Sequence, residues 1–278
     1  MPGAEITLNC KSAICVLVSG EASGTVLYEK DADRPLYPAS ITKLLTAITA
    51  LKIAQGKGIR ASIRMTVAAE DVAEGSGQNL REGDIVLLRH GLANLLLASS
   101  NVTANLIARS MGAILARDEE GSSVDPMMRF IAEMNAVAAS LHMAGSHFLN
   151  PHGLGAKGQR STARDLGLLV CACLHYPTIV GFWGLPRYAF AVGGPDARTV
   201  MARSIFRESS SAAIPGFAIP QFRGGKSGTL WPSVFNLAAV SETTSGGLIV
   251  SVTLASASVE DRYADYLALL KIGNDRVM

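Results

Sequence analysis

The sequence is poor in charge. Only 17% of its 278 residues are Asp, Glu, Lys or Arg, and 25 basic side chains nearly cancel 23 acidic ones. Such a balance, spread along the chain, excludes the basic footprint of a nucleic-acid binder. It also gives no reason to expect an anionic membrane surface as partner. Long hydrophobic runs are missing too. Although 49% of residues are hydrophobic, no run approaches the roughly 18 apolar residues that a membrane span needs. "AICVLV" near residue 13 and "LGLLVCACL" near residue 166 are core-sized segments. Cysteine is limited to Cys10, Cys15, Cys171 and Cys173. A chain this long needs no disulfide framework. Cys171 and Cys173 fall in an expected helix, where side chains two apart diverge. No histidine stands at zinc-finger spacing, so the cysteines read as buried small hydrophobes and no metal site is expected. A Cys10–Cys15 bridge stays open. The opening "MPGAEITLNCKS" lacks a basic region and a long apolar region, so it does not read as a signal peptide.

What is present is a large supply of core-forming residues, enough for one compact unit or two lobes. Residues 13–19 and 25–30 read as short β-branched strands joined by a "GEASG" hairpin turn. Pro38 leads into a helix, "SITKLLTAITALKIAQG", that stops at Gly56. Residues 57–90 are polar and glycine-rich, with a hint of strand at "SIRMTV". The pattern then turns helical over 84–99, 101–116, 127–141 and 162–176, with a solvated loop at 118–126 and a turn-rich loop at 147–161. After 184 the character is strand and loop, with strands at 236–243 and 247–258, and "VEDRYADYLALLKIG" closes as a helix. Strands at both ends and helices between predict an α/β (α+β) fold. One antiparallel sheet is built from both chain ends and flanked by helices, with an inserted all-helical lobe. The expected division is a sheet lobe of about 1–60 and 184–278 and a helical lobe of about 61–183. A site would lie at the seam between them.

Three short stretches carry chemistry. In "YPASITKLL", Ser40 and Lys43 are three apart, and in a helix they share a face. A serine hydroxyl is a poor nucleophile until a base takes its proton, and a lysine is that base only when neutral. A fall of about 3 pKa units disfavours the charged form by about 4 kcal/mol. The apolar run around Lys43, with the helix N-terminus, is a way to achieve that. Alone, the pattern is expected about once by chance in such a chain. A serine there is otherwise an N-cap, and a lysine otherwise extends to water. "LLASSN" adds Ser99 and Asn101 between two helices, where a hydroxyl and an amide can relay a proton and hold a peptide group. "FRGGKSGTL" adds Lys226, Ser227, Gly228 and Thr229. It reads as a glycine-rich turn or as a strand whose backbone approaches a ligand carboxylate.

In that order, S-x-x-K, S-x-N and K-[ST]-G resemble the signature of penicillin-recognising serine enzymes. "VLYEKDADRPLYPASITKLLTA", "LREGDIVLLRHGLANLLLASSN" and "FLNPHGLGAKGQRSTARDL" resemble, more narrowly, the D-alanyl-D-alanine carboxypeptidases, the low-molecular-mass penicillin-binding proteins. The likeness runs from about residue 13 to 270. It implies a β-lactamase/transpeptidase-like fold and a serine DD-carboxypeptidase that works without metal or cofactor. The substrate would be peptidoglycan stem peptides ending in D-Ala-D-Ala, with β-lactams as covalent inhibitors. It implies an extracytoplasmic location, with the signal peptide absent from this sequence. Many relatives also carry a C-terminal β-rich domain and an amphipathic membrane anchor, whereas this sequence ends at "NDRVM", either stopping early or as a single-domain member. Residue by residue, Ser40 is the implied nucleophile and Lys43 its base. Ser99 passes a proton to the leaving D-alanine, and Asn101 binds the substrate amide. Lys226 keeps the field positive, and Ser227, with Gly228 and Thr229, binds the carboxylate end. The backbone N–H groups of Ser40 and Thr229 form the oxyanion hole. His152, in "NPHGL", is expected to be structural. The family usually has threonine where Ser227 stands, and often Asp-Ala where this chain has Val102-Thr103. The alternatives are a class A-like β-lactamase and a non-turnover β-lactam-sensing or wall-binding module. The lactamase needs a glutamate for deacylation, and none occurs between Glu133 and Glu208.

Overall fold

A computed structural model describes residues 7–19, 23–117, 124–206 and 221–277. The expected turn at 20–22 and the loop at 118–123 lie outside the described residues. The principal sheet has five antiparallel strands, in the order β2-β1-β9-β8-β7. They are β1 (Ser12–Ser19), β2 (Ser23–Lys30), β7 (Phe222–Leu230), β8 (Val234–Glu242) and β9 (Leu248–Ser256). Strands from the two chain ends meet at β1–β9, where Ile14 is paired with Val252. Sheet-building from both ends was legible as two β-branched runs at each end of the sequence.

The period of two decides how the sheet is covered. In β1, Ile14 and Val16 join one apolar cluster with Val250, Val252 and the helices of the chain's middle. Ala13 and Cys15 face the other way, into a second cluster with Leu237, Ala239 and α7 (Val259–Val277). Both faces are therefore buried, so these strands read as continuous apolar runs rather than as polar–apolar alternation. The four cysteines are free and buried in these two clusters.

The middle of the chain supplies α1 (Thr42–Gly56), α2 (Leu88–Leu97), α3 (Asn101–Ala116), α4 (Pro126–Ser140), α5 (Ala163–Cys173) and α6 (Pro177–Trp183). Helix α1 is buried from Thr42 and Lys43 through Ala50, and again at Ile53 and Ala54. It packs against α2, α3, α4 and α5. Its first turns have no solvent-facing side, which is why Lys43, unlike the exposed Lys52, is the anomaly of the sequence. No single described helix is long and apolar enough to cross a membrane; α5 and α6 together have the length but meet at 102°.

Three local readings change. Residues 85–87, read as helical, form strand β4 (Ile85–Leu87), paired with β3 (Arg64–Thr66). "IVL" satisfies either period, and its partner twenty residues upstream decides the matter. Helix α6 after Tyr176 was not anticipated. Strands β5 (Arg187–Val192) and β6 (Arg198–Arg203) form a separate hairpin that packs on α2 rather than joining the main sheet.

Candidate active site

The chain enters α1 through a single 3-10 turn, Ala39–Ile41, and Ser40 sits in that turn, half-buried. Ala39 before it has φ +49°, the left-handed region that non-glycine residues rarely occupy. Such strain persists only where surrounding packing enforces it. Two glycines do the enforcing. A Cβ on Gly153 (φ +87°) would stand 1.9 Å from the Ala39 carbonyl oxygen, and one on Gly228 would stand 2.7 Å from that of Pro38. The 147–161 loop and strand β7 thus press on the Ser40 turn from two directions.

Lys43 follows one turn later and is fully buried. Its Nζ donates to Ser40 Oγ at 2.9 Å, to Asn101 Oδ1 at 2.7 Å and to the His152 carbonyl oxygen at 2.8 Å. Three acceptors match the three donors of an ammonium. A neutral amine has two donors and one lone pair. The amide and the carbonyl can only accept, so they hold the two N–H groups and leave the lone pair for the Ser40 hydroxyl. Burial holds the Lys43 pKa well below the ordinary lysine range, and the nearby Lys226 charge lowers it further.

Asn101 is placed by the start of α3. Ser100 caps that helix, accepting from Thr103 N at 3.2 Å, while Asn101 N donates to the Ser76 carbonyl at 3.0 Å. Asn101 Nδ2 donates to the Glu74 carbonyl at 2.6 Å. Segment 74–77 therefore fixes the amide with its oxygen toward Lys43. Gly75 (φ +98°) and Gly77 (φ +65°) let that segment lie against Asn101 and Ser100. Ser99 is buried with φ +56°, but the three bonds of Lys43 do not include it.

Lys226, Ser227, Gly228 and Thr229 lie at the end of β7, the edge strand beside the Ser40 turn. Lys226 is fully buried and donates to the Ser227 carbonyl at 3.0 Å. Burial first, and then the Arg262 charge, push its pKa down to about 7. Arg262, from the first turn of α7, is almost buried and donates to Thr229 Oγ1 at 3.1 Å and to Tyr263 OH at 3.4 Å. Its guanidinium carbon lies 4.9 Å from the Tyr263 ring centre. Three cationic side chains thus converge, and each hydrogen bond named for them ends on a neutral oxygen. That is a site prepared for an anion and hostile to a charged lysine.

These groups surround a cleft of about 410 Å³, lined by Ser40, Ser76, Asn101, Leu154, Thr229 and Trp231 among others. Ser40, Asn101 and Thr229 reach it directly, with Lys43 and Lys226 buried behind them. His152 contributes its backbone carbonyl to Lys43. Its ring accepts from Leu154 N at 3.1 Å, and burial, with the Lys43 charge adding, takes its pKa down to about 4. The ring is neutral at physiological pH. Sequence reasoning missed the 74–77 segment, Arg262 and the Leu154/Trp231 wall. The paired glycines 75 and 77 were a signal. Arg262, 33 residues from Thr229, was not marked by any local pattern.

A sequence profile of the D-alanyl-D-alanine carboxypeptidase family matches residues 3–192. The chain is 33% identical over 154 residues to D-alanyl-D-alanine carboxypeptidase DacC of Escherichia coli, covering 55% of this chain and 37% of that protein. It is 25% identical over 280 residues to the D-alanyl-D-alanine carboxypeptidase of Streptomyces sp. strain K15, covering 98% and 90%. The crystal structure of the Streptomyces K15 DD-transpeptidase superposes with a TM-score of 0.81 at 22% identity, covering 97% of this chain and 98% of that one. The chain thus spans well under two thirds of the Escherichia coli relative and nearly all of the Streptomyces one.

Proposed function

Because the chain belongs to the D-alanyl-D-alanine carboxypeptidase family, we propose that it is a serine DD-peptidase removing the terminal D-alanine from peptidoglycan stem peptides. One observation carries the reading most: Lys43 is buried among neutral acceptors with its amine 2.9 Å from Ser40 Oγ. Ser40 Oγ attacks the carbonyl carbon between the two D-alanines, and its proton passes to neutral Lys43. The oxyanion forms against the N–H groups of Ser40 and Thr229, backbone donors that stabilise charge where it develops. Ser99 passes the proton to the departing D-alanine nitrogen, the C–N bond breaks, and an ester to Ser40 remains. Water then attacks that ester, and Ser40 regains its proton. Asn101 holds both Lys43 and the substrate's amide. Ser227 and Thr229 bind the terminal carboxylate, with Gly228 allowing the close approach. The Arg262 and Lys226 charges make that end of the cleft positive. His152 is a strut whose carbonyl positions Lys43.

The same reading makes β-lactams covalent inhibitors at Ser40 and places the work outside the cytoplasmic membrane, where the substrate is. It treats residues 1–278 as one catalytic domain, with the lobe boundaries near 60 and 184 as part of the proposal. Its test is release of D-alanine from diacetyl-L-lysyl-D-alanyl-D-alanine by the purified chain. Stoichiometric release that Ser40→Ala abolishes supports the assignment. Penicillin labelling without any release would replace it with a sensing or binding role.

A further inference from the structure

Trp231 is 76% exposed, which is unusual for the largest apolar side chain in a folded protein. It is not a loose surface residue. Its ring stands edge-on to Phe235, with centroids 5.1 Å apart at 87°, so its orientation is set by the β7–β8 turn. It lines the cleft, together with Leu230 and with Leu154, itself 36% exposed. The cleft is therefore two-sided in chemistry. Hydroxyls and an amide (Ser40, Ser76, Asn101, Thr229) form one part, and three apolar side chains form the other.

Strand order gives the apolar part a place along the substrate. On the reading above, Ser227 meets the terminal carboxylate and Thr229 the scissile carbonyl. Successive residues of a strand advance about 3.3 Å, and alternate residues share a face. Ser227 and Thr229 are such a pair in β7, and Trp231 follows the strand's last residue, Leu230, in the turn to β8, on the side of Thr229 away from the carboxylate end. What lies there is the residue that precedes the two D-alanines. We propose that Trp231, with Leu154, is a specificity-determining wall for an aliphatic side chain on that residue. A long hydrocarbon stem, such as that of a diamino acid, would lie flat against the indole and keep its polar end in water. This inference rests on the DD-peptidase reading.

The test compares two peptides, diacetyl-L-lysyl-D-Ala-D-Ala and acetylglycyl-D-Ala-D-Ala, with the wild type, Trp231→Ala and Trp231→Phe. Two methylenes kept from water are worth about tenfold or more in kcat/KM. The wild type should prefer the lysyl peptide by at least that factor. Trp231→Ala should bring the ratio close to one, and Trp231→Phe should restore most of it. A ratio unmoved in Trp231→Ala overturns the proposal. A second readout does not need turnover. The chain has 2 tryptophans, and Trp183 is buried. Emission should therefore change when benzylpenicillin, with its aromatic side chain, acylates the protein, and much less with 6-aminopenicillanic acid, which has none. If neither peptide releases D-alanine, the DD-peptidase reading fails and this fluorescence difference still decides whether Trp231 contacts the acyl side chain. Identical emission changes with the two penicillins would count against it.

Discussion

Asn101→Asp tests the electrostatic logic of the site at one atom. It places a near-isosteric carboxylate where an amide oxygen now lies 2.7 Å from Lys43 Nζ. At an effective dielectric of about 20, opposite unit charges that close attract by about 6 kcal/mol. That corresponds to about 4 pKa units. It opposes the burial that now keeps the amine neutral, and it returns Lys43 to the ammonium form at pH 7. An ammonium has no lone pair for the Ser40 proton. Each unit by which the carboxylate raises the Lys43 pKa above the assay pH cuts its neutral fraction about tenfold, and acylation at pH 7 slows by the same factor. The assay is the second-order rate of labelling by a fluorescent penicillin from pH 6 to 10, with a thermal melt at each pH. The variant should regain about tenfold per pH unit toward the wild-type rate as pH rises. The new carboxylate also loses the bond to the Glu74 carbonyl, which the melt will register as a loss of stability. A loss of rate that is equal at every pH would refute the argument. It would mean that Asn101 acts only by holding substrate or the 74–77 segment. A wild-type rate at pH 7 would refute it as well.

Gly153→Ala forces a Cβ to within 1.9 Å of the Ala39 carbonyl at a φ of +87°. It should cost about 2 kcal/mol or more of stability and about 100-fold in acylation by displacing the Ser40 turn. Gly155→Ala, whose Cβ would meet only a Leu230 methyl at 3.9 Å, is the control and should melt and label as the wild type. Lys226 has its pKa lowered to about 7 in the fold, so between about 7 and 10.5 the unfolded chain binds the extra proton. Stability contributed by this group therefore rises with pH across that window and is lost as pH falls toward 7. Lys226→Met should raise the melting temperature at pH 7 and flatten its rise between pH 7 and 8.5, while slowing acylation. An unchanged slope in calorimetry would mean that Lys226 is not destabilised by its burial. The window stops at 8.5 because Cys10, with its thiol pushed up to about 12, contributes the opposite slope higher up.

How much of this was legible depended on whether the information was local. The helix from Ser40, the S-x-N turn and the K-S-G-T strand are local patterns with fixed spacing, and all three come to one cleft. The strands at the two ends carried enough β-branched residues to be seen. What was not legible came from contacts distant in sequence. Residues 85–87 are a strand because β3 and Gly193 pair with them. The His152 carbonyl reaches Lys43 across 109 residues, and Arg262 meets Thr229 from the closing helix. The demand that Lys43 be desolvated could be stated from its apolar neighbours. That its acceptors would be neutral oxygens, with two further cations nearby, needed the fold.

The central claim is that Ser40, deprotonated by a neutral Lys43, forms a covalent acyl-enzyme. Its most direct test is intact-mass analysis of the protein after mixing with benzylpenicillin, followed by peptide mapping of the adduct. The account predicts one adduct per chain, on the peptide carrying Ser40, persisting far beyond seconds and missing from Ser40→Ala. An adduct on another residue, no adduct at all, or one that is shed within seconds would contradict it.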